Sequence, residues 1–179
     1  MYSCLKSYGI DGIDAFPVTV EATFGRAMPG FDIVGLPDAA IKESRLRVQS
    51  SIRLCGYELP AGRITVNLAP ASQRKFGPAF DLPIFLAVLA ATNQLSSLPE
   101  DAAFVGELSL SGQIRPVNGV LSMALRAKAD GIPAFFVPEE NTKEASIVEG
   151  LTVYPVSDIT ALLTHLNGSS PITPVEFDP

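Results

Sequence analysis

Residues 74–91 read RKFGPAFDLPIFLAVLAA: two cations, a Gly-Pro turn, and then an unbroken apolar run from Leu82 to Ala91. That run is about half the ~20 residues that a bilayer-spanning helix needs. Its side chains are apolar nearly all round, which marks a helix enclosed by a core rather than one lying on a surface. Pro83 limits where the helix begins. A proline deep inside a helix costs about 3 kcal/mol, so Asp81 is expected as the N-cap with Pro83 in the first turn. Arg74 and Lys75 precede it in a loop, where mobile cations meet phosphate or a neighbouring subunit.

Working outward, the segment FPVTVEATFG (16–25) alternates apolar with polar, the period of a strand with one buried face. FDIVGLPD follows as a second extended piece, with Pro37 suited to a first helical turn. From Ala39 to Cys55 the side chains of Ile41, Val48, Ile52 and Cys55 fall in a narrow arc at helical spacing, and Lys42, Arg45, Gln49 and Arg53 share a neighbouring arc. RITVNLAP alternates again and reads as a strand. AFVGELSLSGQIRPV brackets Ser111-Gly112 with two short strands, a β-hairpin in which Glu107 and Arg115 are expected to pair. NGVLSMALRAKADGI is an amphipathic helix closed by Gly131. PAFFVPEEN and LTVYPVSDITALLTHLNG each give a strand and then a helix start. This alternation implies a partly parallel, mixed sheet covered by helices, an α/β (α+β) fold.

The chain has 179 residues, 47% of them apolar and 18% charged, enough for one medium domain with a real core. No export signal is visible in MYSCLKSYGIDG, and no segment reads as membrane-spanning, so a cytoplasmic location is expected. Cys4 and Cys55 read as two small buried thiols. With one histidine, a structural metal site would need recruited carboxylates, and none is expected. His165 reads as a solvated helix residue rather than a member of a catalytic triad. Neither G-x-x-x-x-G-K-[ST] nor G-x-G-x-x-G occurs, so no nucleotide cofactor is expected in this chain.

Charge is segregated. Residues 42–75 carry seven bases against Glu43 and Glu58, a local balance of +5 in a chain of net charge −6. Such a segment suggests a basic surface on an acidic body. Lys42, Arg45, Arg53, Arg74 and Lys75 are therefore the candidate nucleic-acid-binding residues.

Four stretches in order, VNLAP, RKFGPAFDLPIFLAVLAA, VGELSLSGQIRPVNGVLSMALRAKADGI and FFVPEENTKEA, resemble the Lon-protease C-terminal domain, which has the ribosomal-protein-S5-domain-2-like fold. In those peptidases the nucleophilic serine follows a Gly-Pro pair, and the dyad lysine follows a Gly-hydrophobic pair. Here those positions hold Ala79 and Leu121. The resemblance therefore implies a domain without catalytic residues, since a methyl and an isobutyl group offer neither nucleophile nor base. A dyad relocated to Ser72 or Ser122 with Lys75 or Lys128 is the peptidase alternative.

Within this fold, GLPDAAIKESRLRVQSSIRLCGYELP and GRITVNLAPASQRKFGPAFDLPIFLA are similar to the N-terminal domain of Mg-chelatase-like AAA+ proteins of the ComM/YifB type. The likeness runs over about residues 1–165. It implies a Lon/S5-like domain over residues 1–167 and a linker over 168–179 toward a ring-forming ATPase module, where ATP and magnesium would bind. It also implies partners: DNA, in branch migration during natural transformation, the chain's own AAA+ domain, and neighbouring subunits of a homo-oligomeric ring. A pure oligomerisation or protein-docking module is the remaining alternative.

Overall fold

The computed structural model describes residues 1–177 and 179. In chain order the strands are β1 (Tyr2–Asp11), β2 (Asp14–Gly25), β3 (Gly30–Val34), β4 (Arg63–Ala69), β5 (Ala102–Phe104), β6 (Glu107–Leu108), β7 (Ile114–Arg115), β8 (Ala134–Pro138) and β9 (Thr152–Val156). The helices are α1 (Ala39–Leu54), α2 (Asp81–Ala91), α3 (Val120–Ala129), α4 (Thr142–Ser146) and α5 (Ile159–Leu166). Seven strands form one mixed sheet in the order β3-β4-β2-β1-β5-β8-β9, and β6 and β7 form a separate hairpin. The β1–β2 and β2–β4 ladders are antiparallel, whereas β3–β4, β1–β5, β5–β8 and β8–β9 are parallel.

Alternation along the strands sends side chains to opposite faces, and two cores result. Phe104 and Phe136 join the cluster under α1, α2 and α5, while Ala103, Phe135 and Val137 join the one under α3 and α4. Helix α2 is buried along almost its whole length, as its all-round apolar sequence requires. No helix among the described residues is long and apolar enough to cross a membrane.

Strand β1 carries no clean hydrophobic period because Ser3 and Ser7 face inward. Their hydroxyls donate to the carbonyls of Ala87 (2.6 Å) and Phe104 (2.7 Å), which makes two polar residues acceptable in the core. Cys4 on the same strand is exposed and Cys55 half-buried, so only the second approaches the enclosed thiol expected of both.

Two helix starts differ from the sequence reading. Asp38, not Pro37, begins α1: its side chain accepts from the Ile41 N–H at 2.8 Å, and Pro37 lies just outside the helix, bridged to Lys75. Asp81 is not a cap. Phe80 occupies the cap position without a side-chain bond, and Asp81 sits inside the first turn of α2, fully buried.

The C-terminal stretch expected as a linker lies against the sheet. The Val175 N–H donates to Val153 O at 2.9 Å, and the Ile172 N–H donates to His165 Nδ1 at 2.8 Å. His165 is thus not simply solvated: its ring meets those of Phe136 and Tyr154, at centroid distances of 5.4 and 5.2 Å. Burial lowers its pKa below the ordinary 6.5. The neutral ring is then the native form, so stability present above pH 6.5 is lost as pH falls from 6.5 toward the lower folded value. Protonated Nδ1 cannot accept from Ile172. The protection of the Ile172 and Val175 amides, taken relative to the intrinsic exchange rate at each pH, is therefore expected to fall below pH 6.5, and His165→Phe should lower it at every pH.

Candidate nucleic-acid interface

The seven bases of residues 42–75 are not equivalent in the fold. Arg47 donates to the Asp81 carboxylate from Nε (2.6 Å) and Nη2 (3.1 Å), and its pKa is raised chiefly by that hydrogen bonding, against the opposing effect of burial. Arg63 is paired to Asp32 at 2.6 Å. Lys75, expected as a mobile loop cation, is 0% exposed. Its ammonium donates to the carbonyls of Gly35 (2.8 Å) and Pro70, and burial lowers its pKa. The charge of Lys75 is held inside the protein and is not offered to a phosphate, which removes it from the candidate interface.

Lys42, Arg45, Arg53 and Arg74 remain exposed, and none of them forms an ion pair among the described residues. The first three lie along one side of α1, which packs beside the edge strand β3. Two adjoining hollows separate helix from strand. One, of about 430 Å³, is bordered by Lys42, Arg45 and residues Phe31–Val34. The other, of about 460 Å³, is bordered by Arg45, Gln49 and Arg53 with Phe31 and Leu46. The groove thus has cations along its helix wall, while Asp32 on the strand wall is paired to Arg63.

A second concavity, of about 420 Å³, contains Ala79 and is walled by Tyr8, Ile10, Phe76, Phe80 and Met123, with Glu107 contributing a carboxylate. The chain reaches it through Gly77, whose φ of 80° turns the backbone into a 3-10 turn over Pro78–Phe80. Ala79 presents a buried methyl group there. Leu121, at the position of the dyad lysine, does not line this space: it is partly exposed in the first turn of α3, where Gly119 and Met123 face the cleft instead. Ser122 is half-buried on α3 and Lys128 exposed further along it. Among the described residues no serine hydroxyl is hydrogen-bonded to a lysine ammonium, and no group of three or more His, Cys, Asp or Glu could hold a metal ion. Glu107 and Arg115 are opposed in the hairpin register without forming an ion pair.

Two features of the site escape a reading of the sequence alone. The Arg47–Asp81 pair is signalled there only by a lone carboxylate at the head of an apolar helix, which needs a partner once buried. Phe76 is signalled only by its place between cations and a Gly-Pro turn. It is 58% exposed.

Comparison with known proteins agrees with this architecture. Residues 20–141 match the family described as subunit ChlI of Mg-chelatase. An uncharacterised protein of Mycobacterium tuberculosis is 42% identical over 165 residues, which cover 92% of this chain and 33% of the relative. YifB of Escherichia coli and the competence protein ComM of Haemophilus influenzae are each 40% identical over 158 residues, or 88% of this chain and 31% of theirs. A more distant likeness, 24% over 166 residues, extends to Lon protease of Mycolicibacterium smegmatis, covering 86% of this chain and 21% of that protein. The fold is thus the Lon-like mixed α/β arrangement, and the chain belongs to the Mg-chelatase ChlI-type family with YifB and ComM among its relatives. It spans about a third of the length of the curated relatives it matches.

Proposed function

We propose that this chain is the non-catalytic N-terminal domain of a cytoplasmic Mg-chelatase-like AAA+ ATPase, and that it supports ring assembly and contacts DNA during recombination or natural transformation. One observation carries the DNA reading: an acidic protein leaves Lys42, Arg45, Arg53 and Arg74 exposed and without ion-pair partners among the described residues, while Arg47, Arg63 and Lys75 are neutralised or tied down internally. The transformation context follows from a relative named as a competence protein. Reading the domain as non-catalytic is supported by the methyl group of Ala79 where the peptidases place a hydroxyl, and by the engagement of Lys75 with two carbonyls. ATP and magnesium belong to the ATPase module, whose partner surfaces in a homo-oligomeric ring include this domain.

The test is fluorescence anisotropy with labelled duplex and single-stranded DNA over a range of salt. Binding is expected to weaken linearly in log salt, and alanine at Lys42, Arg45, Arg53 and Arg74 together should reduce the duplex slope by about 3 to 4, at roughly 0.9 per phosphate contact. Salt-insensitive binding, or a fourfold variant that binds as the parent does, would refute the DNA role. Exposed Leu36, Leu46 and Phe76 favour a second reading, a protein-docking module. That reading gains if the fourfold variant still assembles with the ATPase while DNA binding was absent from the start.

A further inference from the structure

We propose that Phe76 is a stacking platform for one base of a single-stranded nucleic acid, with Arg74 pairing to the adjoining phosphate. This rests on the nucleic-acid reading above and adds to it the strand form and the base contact.

The backbone sets the geometry. Lys75 is bridged in parallel to Pro37, which zips its stretch of chain against the turn between β3 and α1. The Lys75 N–H donates to Leu36 O, the Asp38 N–H donates to Lys75 O (both 3.1 Å), and the Gly77 N–H donates to Asp38 Oδ2 at 3.0 Å. Side chains alternate along extended backbone. Lys75 points inward to the carbonyls of Gly35 and Pro70, so Arg74 and Phe76 project together on the outer side, about 7 Å apart along the chain. Both are exposed. Asp38 is the N-cap of α1 and also holds Gly77, which fixes the pair at the end of the helix that carries Lys42 and Arg45.

A large exposed ring on a mobile loop would be unremarkable. Here the backbone on both sides of the ring is tied down, and a platform ordered in advance costs little to order on binding. A cation beside an aromatic face is the pairing by which sequence-tolerant single-strand binders hold phosphate and base together. In a duplex the bases already stack on each other, so a ring standing on the surface has no base face to meet. A protein partner would be served by the exposed ring of Phe76 and by Leu36, but Arg74, exposed two residues from the ring and without an ion pair among the described residues, sets a free cation beside it.

The chain contains no tryptophan, so Phe76→Trp gives a single reporter at the site. Titrating this variant with a thymidine oligonucleotide at low salt should quench its emission, whereas a duplex of the same length should leave it nearly unchanged. Phe76→Ala and Phe76→Leu should both lower single-strand affinity by roughly five- to a hundredfold, the range for one stacked base. Duplex affinity should stay within about twofold of the parent, since phosphate contacts dominate there. Arg74→Ala should weaken both and reduce the salt slope.

If Phe76→Leu binds single strands as the parent does, or the tryptophan emission does not respond while Arg74→Ala weakens binding, stacking is refuted and the phosphate reading stands. If no variant and no parent binds DNA, both fall. If Phe76→Ala leaves DNA affinity intact but disrupts self-association in sedimentation, the ring serves a second copy of the chain and the proposal is overturned.

Discussion

Replacing Asp81 with alanine is expected to destabilise the domain by about 3–5 kcal/mol, the range for removing one partner of a buried ion pair. The carboxylate is 0% exposed and joins three parts of the fold. Arg47 and Ser44 reach it from α1, and the Leu108 N–H reaches it from the β6–β7 hairpin at 3.0 Å. Alanine would leave the guanidinium with only the more distant Glu43 at 3.8 Å as counter-ion, and a hydroxyl and a backbone N–H without an acceptor. The cost is therefore the desolvation of orphaned groups rather than the loss of one favourable contact. Urea unfolding should show a lower midpoint with an unchanged slope, since the surface exposed on unfolding is the same.

Two controls test the cause. Ser44→Ala removes one donor and should cost about 1 kcal/mol. Combining Asp81→Ala with Arg47→Met should destabilise by less than the sum of the two single changes, because the second change removes the charge that the first one strands. Strict additivity would mean that the pair contributes nothing beyond packing.

The same pair shows what could be read in the sequence and what could not. Strands β2 and β4 and helices α1 and α2 were legible because their side-chain periods report a buried face directly. The polar residues that close the core were harder. Ser3 and Ser7 hide strand β1 because their acceptors, Ala87 O and Phe104 O, are brought to them only by the folded sheet. Lys75 looks like any loop cation until the turn at Gly35 and the carbonyl of Pro70 converge on it. In the candidate interface the exposed bases of α1 followed from helical spacing. The loss of Lys75 from that set did not, because the carbonyls that hold its ammonium are brought to it only by the folded turns.

Gly35→Ala is the second large effect, expected to cost about 2–5 kcal/mol from two sources, a left-handed backbone and overpacking. Gly35 has φ +102°, and the following Leu36 is also left-handed at +56°. A Cβ at Gly35 would stand 2.9 Å from Leu68 N and closer still to Leu68 O, backbone atoms of the neighbouring strand β4 that cannot swing aside. Gly12 separates the two sources. It has a positive φ of +64° as well, but a Cβ there would meet nothing within 4 Å, so Gly12→Ala should cost only the backbone part, about 1–2 kcal/mol. The excess at Gly35 then measures the clash.

That excess has a functional consequence, because the Gly35 carbonyl accepts from Lys75 and the turn it begins holds Arg74 and Phe76 in place. If the turn yields, amide exchange at Lys75 and Gly77 should rise before global unfolding, and single-strand affinity should fall through lost preorganisation even though no contacting side chain has changed. A Gly35→Ala variant no less stable than Gly12→Ala, with both amides still protected, would mean that the turn moves freely. Rigidity could then no longer be the reason why the exposed ring is kept where it is.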